Sequence, residues 1–276
     1  MAEGQELIKR DMFMALAEDS DVAEAMRENM DGGFSEQDLV QVKTPSGGGS
    51  FWEINGPNGA ESVPFIQGVI VFKCLKGLLW KGDDPGEDRP VLVSDDMKVA
   101  SLAMDWEEVP ADMQEVLEQH ELTPAEVREL KGITGGEDSS LPRLFWWDGP
   151  NKLPYCEYGS STKEGSKGKR AKDKQILYVL RRNEGLPLRI ELGPTSIKPV
   201  RTFFNQCSDV PHTRAEVKIG LKKMKSDSGK DYSVVTLERV NILEKEAGDM
   251  IKKIYKEPIK NALESGKLAV IGSNAD

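Results

Sequence analysis

The sequence predicts an α+β fold: a small twisted β-barrel with helices at both ends and an acidic helical insertion. Three observations carry this expectation. Short runs of β-branched and aromatic residues recur between residues 51 and 240, with glycine at their bends. Helical periodicity is confined to the two ends and to one acidic block. Strands do not alternate with helices along the chain, which argues against a doubly wound parallel sheet.

In chain order, residues 5–17 and 19–30 read as helices, the second capped by Asp19 or Ser20 and stopped by Asp31-Gly32-Gly33. Residues 34–42 become strand-like toward their end. The glycine-rich loop 44–50 lacks a following Gly-Lys-Ser/Thr, so it has no lysine and hydroxyl to serve a nucleotide phosphate. Residues 51–54 form a strand and Gly56-Pro57-Asn58-Gly59 a turn. Residues 62–80, SVPFIQGVIVFKCLKGLLW, are the most apolar stretch. Val69 to Phe72 predict a buried strand there, with Gly68 at a bulge or barrel bend and Trp80 in the core.

Residues 82–89 are an acidic turn, 90–93 a short strand and Asp95-Asp96 a further turn. Residues 110–119 and 123–131 are helices. Thr123 is the second helix's N-cap, Pro124 occupies its first turn, Glu126 closes a capping box and Gly132 follows its end. The carboxylates of this block read as a solvated face. In the strand 144–147, LFWW, adjacent side chains point to opposite faces, so one of Trp146 and Trp147 stands outside the core. Strands follow at 175–180 and 188–192, then a short helix or turn at 201–207. Ala215, Val217, Ile219 and Leu221 alternate with Glu216, Lys218 and Gly220, a half-buried strand. Residues 222–230 turn it and 232–240 return it, making the clearest hairpin of the chain. A last helix, 242–263, is kinked or split by Pro258 and leads to a tail. The implied domains are an N-terminal helical segment, 1–33, a barrel domain, 34–240, with its insertion at about 83–138, and a C-terminal helix and tail, 241–276.

A chain of 276 residues, 38% hydrophobic and 30% charged, can bury a real core, which excludes a disordered protein. No apolar run approaches the roughly 18 residues of a membrane span, and the N-terminus does not read as a signal peptide. The expected setting is the cytoplasm, of a host cell if the protein is viral, with no membrane partner. Cys74, Cys156 and Cys207 are far apart and contain no CxxC, and His120 and His212 read as surface residues. No cofactor, metal site or catalytic constellation is expected, and the chain does not read as an enzyme.

The net charge of −10 hides a split. Residues 1–150 hold 12 of the 37 basic and 31 of the 47 acidic side chains, a balance of −19, and residues 151–276 carry the remaining +9. Halves of opposite sign predict different partners. The basic half centres on residues 153–204. Tyr155 and Tyr158 there precede a glycine- and serine-rich loop, 160–174, bearing Lys163, Lys167, Lys169, Arg170, Lys172 and Lys174. Lysine and arginine neutralise phosphates, glycine admits a close backbone, and aromatic rings stack on unpaired bases. Candidate nucleic-acid-binding residues outside that loop are Trp147, Tyr178, Arg181, Arg182, Lys198 and Arg201. The second basic loop adds Lys222, Lys223, Lys225 and Lys230, with Tyr232 beside it. Basic loops on a small barrel suit an OB-like β-barrel core, which grips single strands across one face.

The order YCEYGSS, GSKGKR, ILYVL, GLPLRIEL, GPTSIKP and the hairpin KSDSGKDYS resembles phage and prophage single-stranded DNA-binding proteins with an OB-fold core. The resemblance covers residues 153–240. It rests on Cys156, Gly159, Ser160, Gly168, Lys169, Leu186, Pro187, Pro194, Thr195, Ser196, Gly229 and Tyr232. In that group several cysteines often precede the Gly-Ser pair; Cys156 stands alone here, so no metal is carried over. The resemblance implies a phage-encoded, non-sequence-specific single-stranded DNA-binding protein of replication or recombination. Replication or recombination proteins would then meet its acidic regions. The alternative is a regulatory or interaction protein whose acidic N-terminal half binds a basic partner or mimics DNA.

Overall fold

The computed structural model describes residues 39–56, 59–82, 89–136, 138–164, 166–182, 184–226 and 229–264. The helices expected at 5–17 and 19–30, most of the acidic turn at 82–89 and the tail from 265 lie outside the described residues. The described chain is mixed α+β and divides into two compact units, residues 39–73 with 175–264 and residues 74–174. The acidic block at about 83–138 falls wholly in the second unit.

The strands and helices follow in order. The chain begins with β1 (Gln41–Lys43), β2 (Trp52–Gly56), β3 (Gly59–Val63) and β4 (Phe65–Leu79). Next come β5 (Leu92–Ser94), β6 (Val99–Leu102), α1 (Ala111–Gln119), α2 (Pro124–Lys131) and β7 (Leu144–Trp146). Then β8 (Lys172–Leu180), β9 (Leu188–Leu192), α3 (Ile197–Gln206), β10 (Ala215–Lys225) and β11 (Asp231–Ile242) return to the first unit. The chain closes with α4 (Lys245–Ile251), a π-helical turn (Lys252–Lys256) and α5 (Glu257–Glu264).

In the first unit the strand order is β1-β9-β8-β4, with β1 parallel to β9 and β8 antiparallel to it. The early residues of β4 also pair antiparallel with β10, which pairs with β11. β2 and β3 make a separate hairpin. Val42, Trp52, Ile66, Ile70, Leu177, Ile190, Phe203, Val217, Ile219 and Val235 meet in one core. The Trp52 indole is fully buried and spends its one polar group well, donating from Nε1 to the Ile219 carbonyl at 3.0 Å. Gly68 is explained by a close approach rather than a bulge or a barrel bend: a Cβ there would strike the Leu180 carbonyl.

In the second unit the order is β4-β5-β6-β7, all antiparallel. Leu79, Val91, Leu92, Met113, Leu117, Phe145, Trp147 and Leu153 form its core. The acidic block is therefore strand as well as helix. Helix α2 starts and stops as its sequence prescribes: Thr123 and Glu126 close the capping box, and Gly132 ends it at φ 62°. Trp80 is buried, as expected.

Neither path of strands returns to its beginning, so no sheet closes among the described residues and the expected OB-like barrel is not seen. The reason lies in β4. Its fifteen residues take β10 as a partner at Phe65–Val69 and β5 at Gly77–Leu79, and the block after it adds strands at an open edge. The last helix is split, as Pro258 required. Proline crowds the carbonyl four residues earlier, and the wider π-helical turn falls there, leaving Pro258 in the first turn of α5.

Candidate nucleic-acid interface

The basic loop of the second unit is built from its base upward. Leu153 and Cys156 are buried, which anchors the short turn Pro154–Cys156 and leaves Tyr155 half-buried and Tyr158 exposed. The loop is then pinched shut. Gly159, at φ 89°, and Ser161 both donate from their backbone N–H groups to the Gly168 carbonyl, at 3.0 and 3.1 Å. The Ser160 hydroxyl accepts from the Arg170 N–H at 2.9 Å and donates to the Tyr155 carbonyl, which also receives the Ala171 N–H. Far from flexible at its base, the loop has a defined neck and an exposed tip.

The predicted residues divide accordingly. At the neck, the Lys169 ammonium pairs with Asp173 at 3.0 Å and sits 5.2 Å from the Tyr158 ring centre. Desolvation pulls its pKa down, but the Asp173 hydrogen bond and charge outweigh that and raise it. The Arg170 guanidinium lies 4.9 Å from the Tyr155 ring centre and donates to the Lys81 carbonyl. The Lys172 ammonium donates to the Lys169 carbonyl, and Lys174 is half-buried in β8. At the tip, Lys163 and Lys167 are exposed. Tyr158 is the most exposed large apolar side chain described, at 83%. Burial pushes the Cys156 thiol up to about 12, so it is a protonated core thiol.

Other predicted residues lie elsewhere. Trp147 is core, its indole covering Gly77, where a Cβ would collide with it; Trp146 is the half-buried one. Tyr178 is fully buried, 5.9 Å from Phe72 between ring centres. Neither ring can stack on a base in this conformation. Arg181 is held by Glu61 and Glu184, and Arg182 grips Glu216 through two hydrogen bonds of 2.8 and 2.6 Å. Lys198 and Arg201 are exposed on α3. Lys222, Lys225 and Lys230 are exposed at the tip of the β10–β11 hairpin, while Lys223 pairs with Asp231 at 2.6 Å and Tyr232 is half-buried.

Sequence reasoning passed over a second group, in the first unit. The Lys73 ammonium stands 4.4 Å from the centre of the Phe204 ring, and Phe204 meets His212 edge-on at 6.1 Å. His212 is not a surface residue: it is half-buried, with Nδ1 2.8 Å from the Ile70 carbonyl. Burial first, then the charge of Lys256 and of Lys73, lowers its pKa to about 4, against the Ile70 hydrogen bond. Desolvation, Arg201 and Lys256 likewise lower the pKa of Lys73. The available signal was a pair of lysines, Lys73 and Lys76, inside an apolar strand, each of which needs a reason to be there. His120 is half-buried too, with Nδ1 2.9 Å from the Asn151 carbonyl.

Among the described residues no three His, Cys, Asp or Glu side chains gather as a metal would require, and no helix is long and apolar enough to cross a membrane. No protein-family model, no curated protein and no solved structure shows a significant match to this chain.

Proposed function

We propose that the protein binds single-stranded DNA without sequence preference, as a non-catalytic, phage-encoded component of replication or recombination. One observation carries the reading. A tyrosine ring exposed to 83% stands beside a lysine ammonium, on a loop whose tip presents further lysines and whose neck is fixed by its own hydrogen bonds. Such a ring offers any base a stacking face, worth about 1–3 kcal/mol, and the neighbouring ammonium groups replace counterions on the phosphates. The reading needs no OB-like barrel, because the loop is held by its own neck. A second reading, a regulatory protein whose acidic surface meets a basic partner, draws on the acidic α1–α2 block.

The structure selects the variants for the test. Lys169, Arg170 and Lys172 hold the neck, so replacing them tests folding as much as binding. Tyr158→Ala and Lys167→Ala leave the neck intact. Labelled oligodeoxynucleotide is titrated with each protein at two salt concentrations. Tyr158→Ala is expected to weaken binding about 5- to 100-fold. Lys167→Ala is expected to lower the slope of log affinity against log salt by about 0.7. Undiminished binding by both variants refutes the proposal and leaves the acidic surface as the better candidate.

A further inference from the structure

We propose that Lys73, Arg201 and Lys256, gathered beside the Phe204 ring and His212 in the first unit, form a binding site for a phosphoryl group. The four polar residues come from four separate segments: β4, α3, the turn before β10 and the π-helical turn. None of the three cations has an acidic partner among the described residues, although ion pairs are frequent elsewhere in the unit. Asp209, close to His212 in sequence, is occupied by Arg239 at 2.9 Å.

The grouping is close enough for its members to feel one another. Lys256 acts on both Lys73 and His212, and Arg201 acts on Lys73, in each case disfavouring the proton. Arg201 and Phe204 are one helical turn apart on α3 and therefore share a face. The ring of Phe204 in turn neighbours both Lys73 and His212. Like charges held together without a counter-charge repel, and an oxyanion converts that repulsion into attraction. A phosphoryl group fits by chemistry: its several oxygens can accept from an arginine fork and two ammonium groups at once.

His212 supplies a built-in reporter. Its Nδ1 faces a carbonyl and so carries a hydrogen, which leaves Nε2 as a lone pair when the ring is neutral. An arriving phosphate favours protonation of that nitrogen, so binding takes up a proton. This site belongs to the first unit and stands whether or not the Tyr158 loop binds DNA.

The chain holds two histidines, and His120→Gln assigns their signals by NMR. His212 is titrated with pH alone, then with inorganic pyrophosphate, with an oligodeoxythymidylate lacking terminal phosphates, and with chloride at matched ionic strength. Pyrophosphate is expected to raise the His212 pKa from about 4 by roughly one pH unit or more. A matching rise with the oligonucleotide identifies a strand phosphodiester as the ligand; a rise with pyrophosphate alone identifies a small or terminal phosphate. Lys256→Gln is expected to raise the ligand-free His212 pKa and to weaken pyrophosphate binding about tenfold. Arg201→Gln weakens binding similarly, and an unchanged amide fingerprint confirms its fold. The proposal is overturned if neither phosphate moves His212, if chloride moves it equally, or if both variants bind pyrophosphate like the parent.

Discussion

The two units differ in their balance of charge. Residues 74–174 hold 14 basic side chains against 21 acidic ones. Several of their cations are paired: Arg143 pairs with Glu121 while lying over Trp106, Lys76 is buried against Asp95, and Lys169 pairs with Asp173. The first unit, over residues 39–73 and 175–264, holds 19 basic against 14 acidic side chains. It pairs Arg181, Arg182, Arg189 and Arg239 with carboxylates and leaves Lys73, Arg201 and Lys256 without an acidic partner among the described residues. A count of lysines along the sequence favoured the loop of the second unit. Partner by partner, each unit pairs part of its cations and leaves part exposed. Which cations are unspent matters more for binding phosphate than how many there are.

The sharpest way to break this comparison is to damage one core at a time. Gly68→Val drives a side chain into the Leu180 carbonyl in the first unit, and Gly77→Val drives one into the Trp147 indole in the second. Each is expected to cost about 3 kcal/mol or more, since backbone and a packed indole cannot move aside cheaply. Hydrogen exchange checks the division. The first variant should lose protection chiefly in β8 and β10, the second chiefly in β5 and β6. Equal loss throughout by both would erase the distinction between the units.

A smaller effect belongs to the first unit alone. His212 takes a proton near 6.5 when unfolded and only near 4 when folded. Between those pH values the unfolded chain binds more protons. Stability is therefore full above about pH 6.5 and declines as pH falls through 4, by about 3 kcal/mol in all. Urea denaturation across that range should show the decline, and His212→Gln should flatten it. A decline that survives the substitution would assign the acid sensitivity to other groups. The smallest effect belongs to the second unit: Thr123→Ala removes one half of the capping box and should cost about 1 kcal/mol, read as a lowered denaturation midpoint.

What was legible in the sequence was local. The signals of α2 lie within ten residues, and the β10–β11 hairpin is written as one alternating run, a turn and another. The end of β4 was legible as apolar, but not its division of partners. Pairing of Phe65–Val69 with β10 joins residues about 150 positions apart. The burial of Trp147 depends on Gly77, seventy positions earlier, whose missing side chain makes room for the indole. Strand β6 escaped notice because its four residues, VASL, are too short for periodicity; Asp96 turns the chain into it by accepting the Lys98 and Val99 N–H groups. The cluster around Lys73 was invisible for the same reason of distance, since its members are spread from residue 73 to residue 256.

The π-helical turn Lys252–Lys256 keeps the bearing of everything after it. A turn of this kind accommodates one residue more than a regular helix would, so it absorbs the rotation of about 100° that the extra residue would otherwise add to the segment that follows. Ile254 and Tyr255, side by side in that turn, are both buried, and the tyrosine hydroxyl donates to the Gly185 carbonyl at 3.0 Å. Deleting a single residue there would restore an ordinary spiral with the same downstream bearing, leaving Ile259 and Ala262 buried, because the wider turn is what absorbs the additional amino acid.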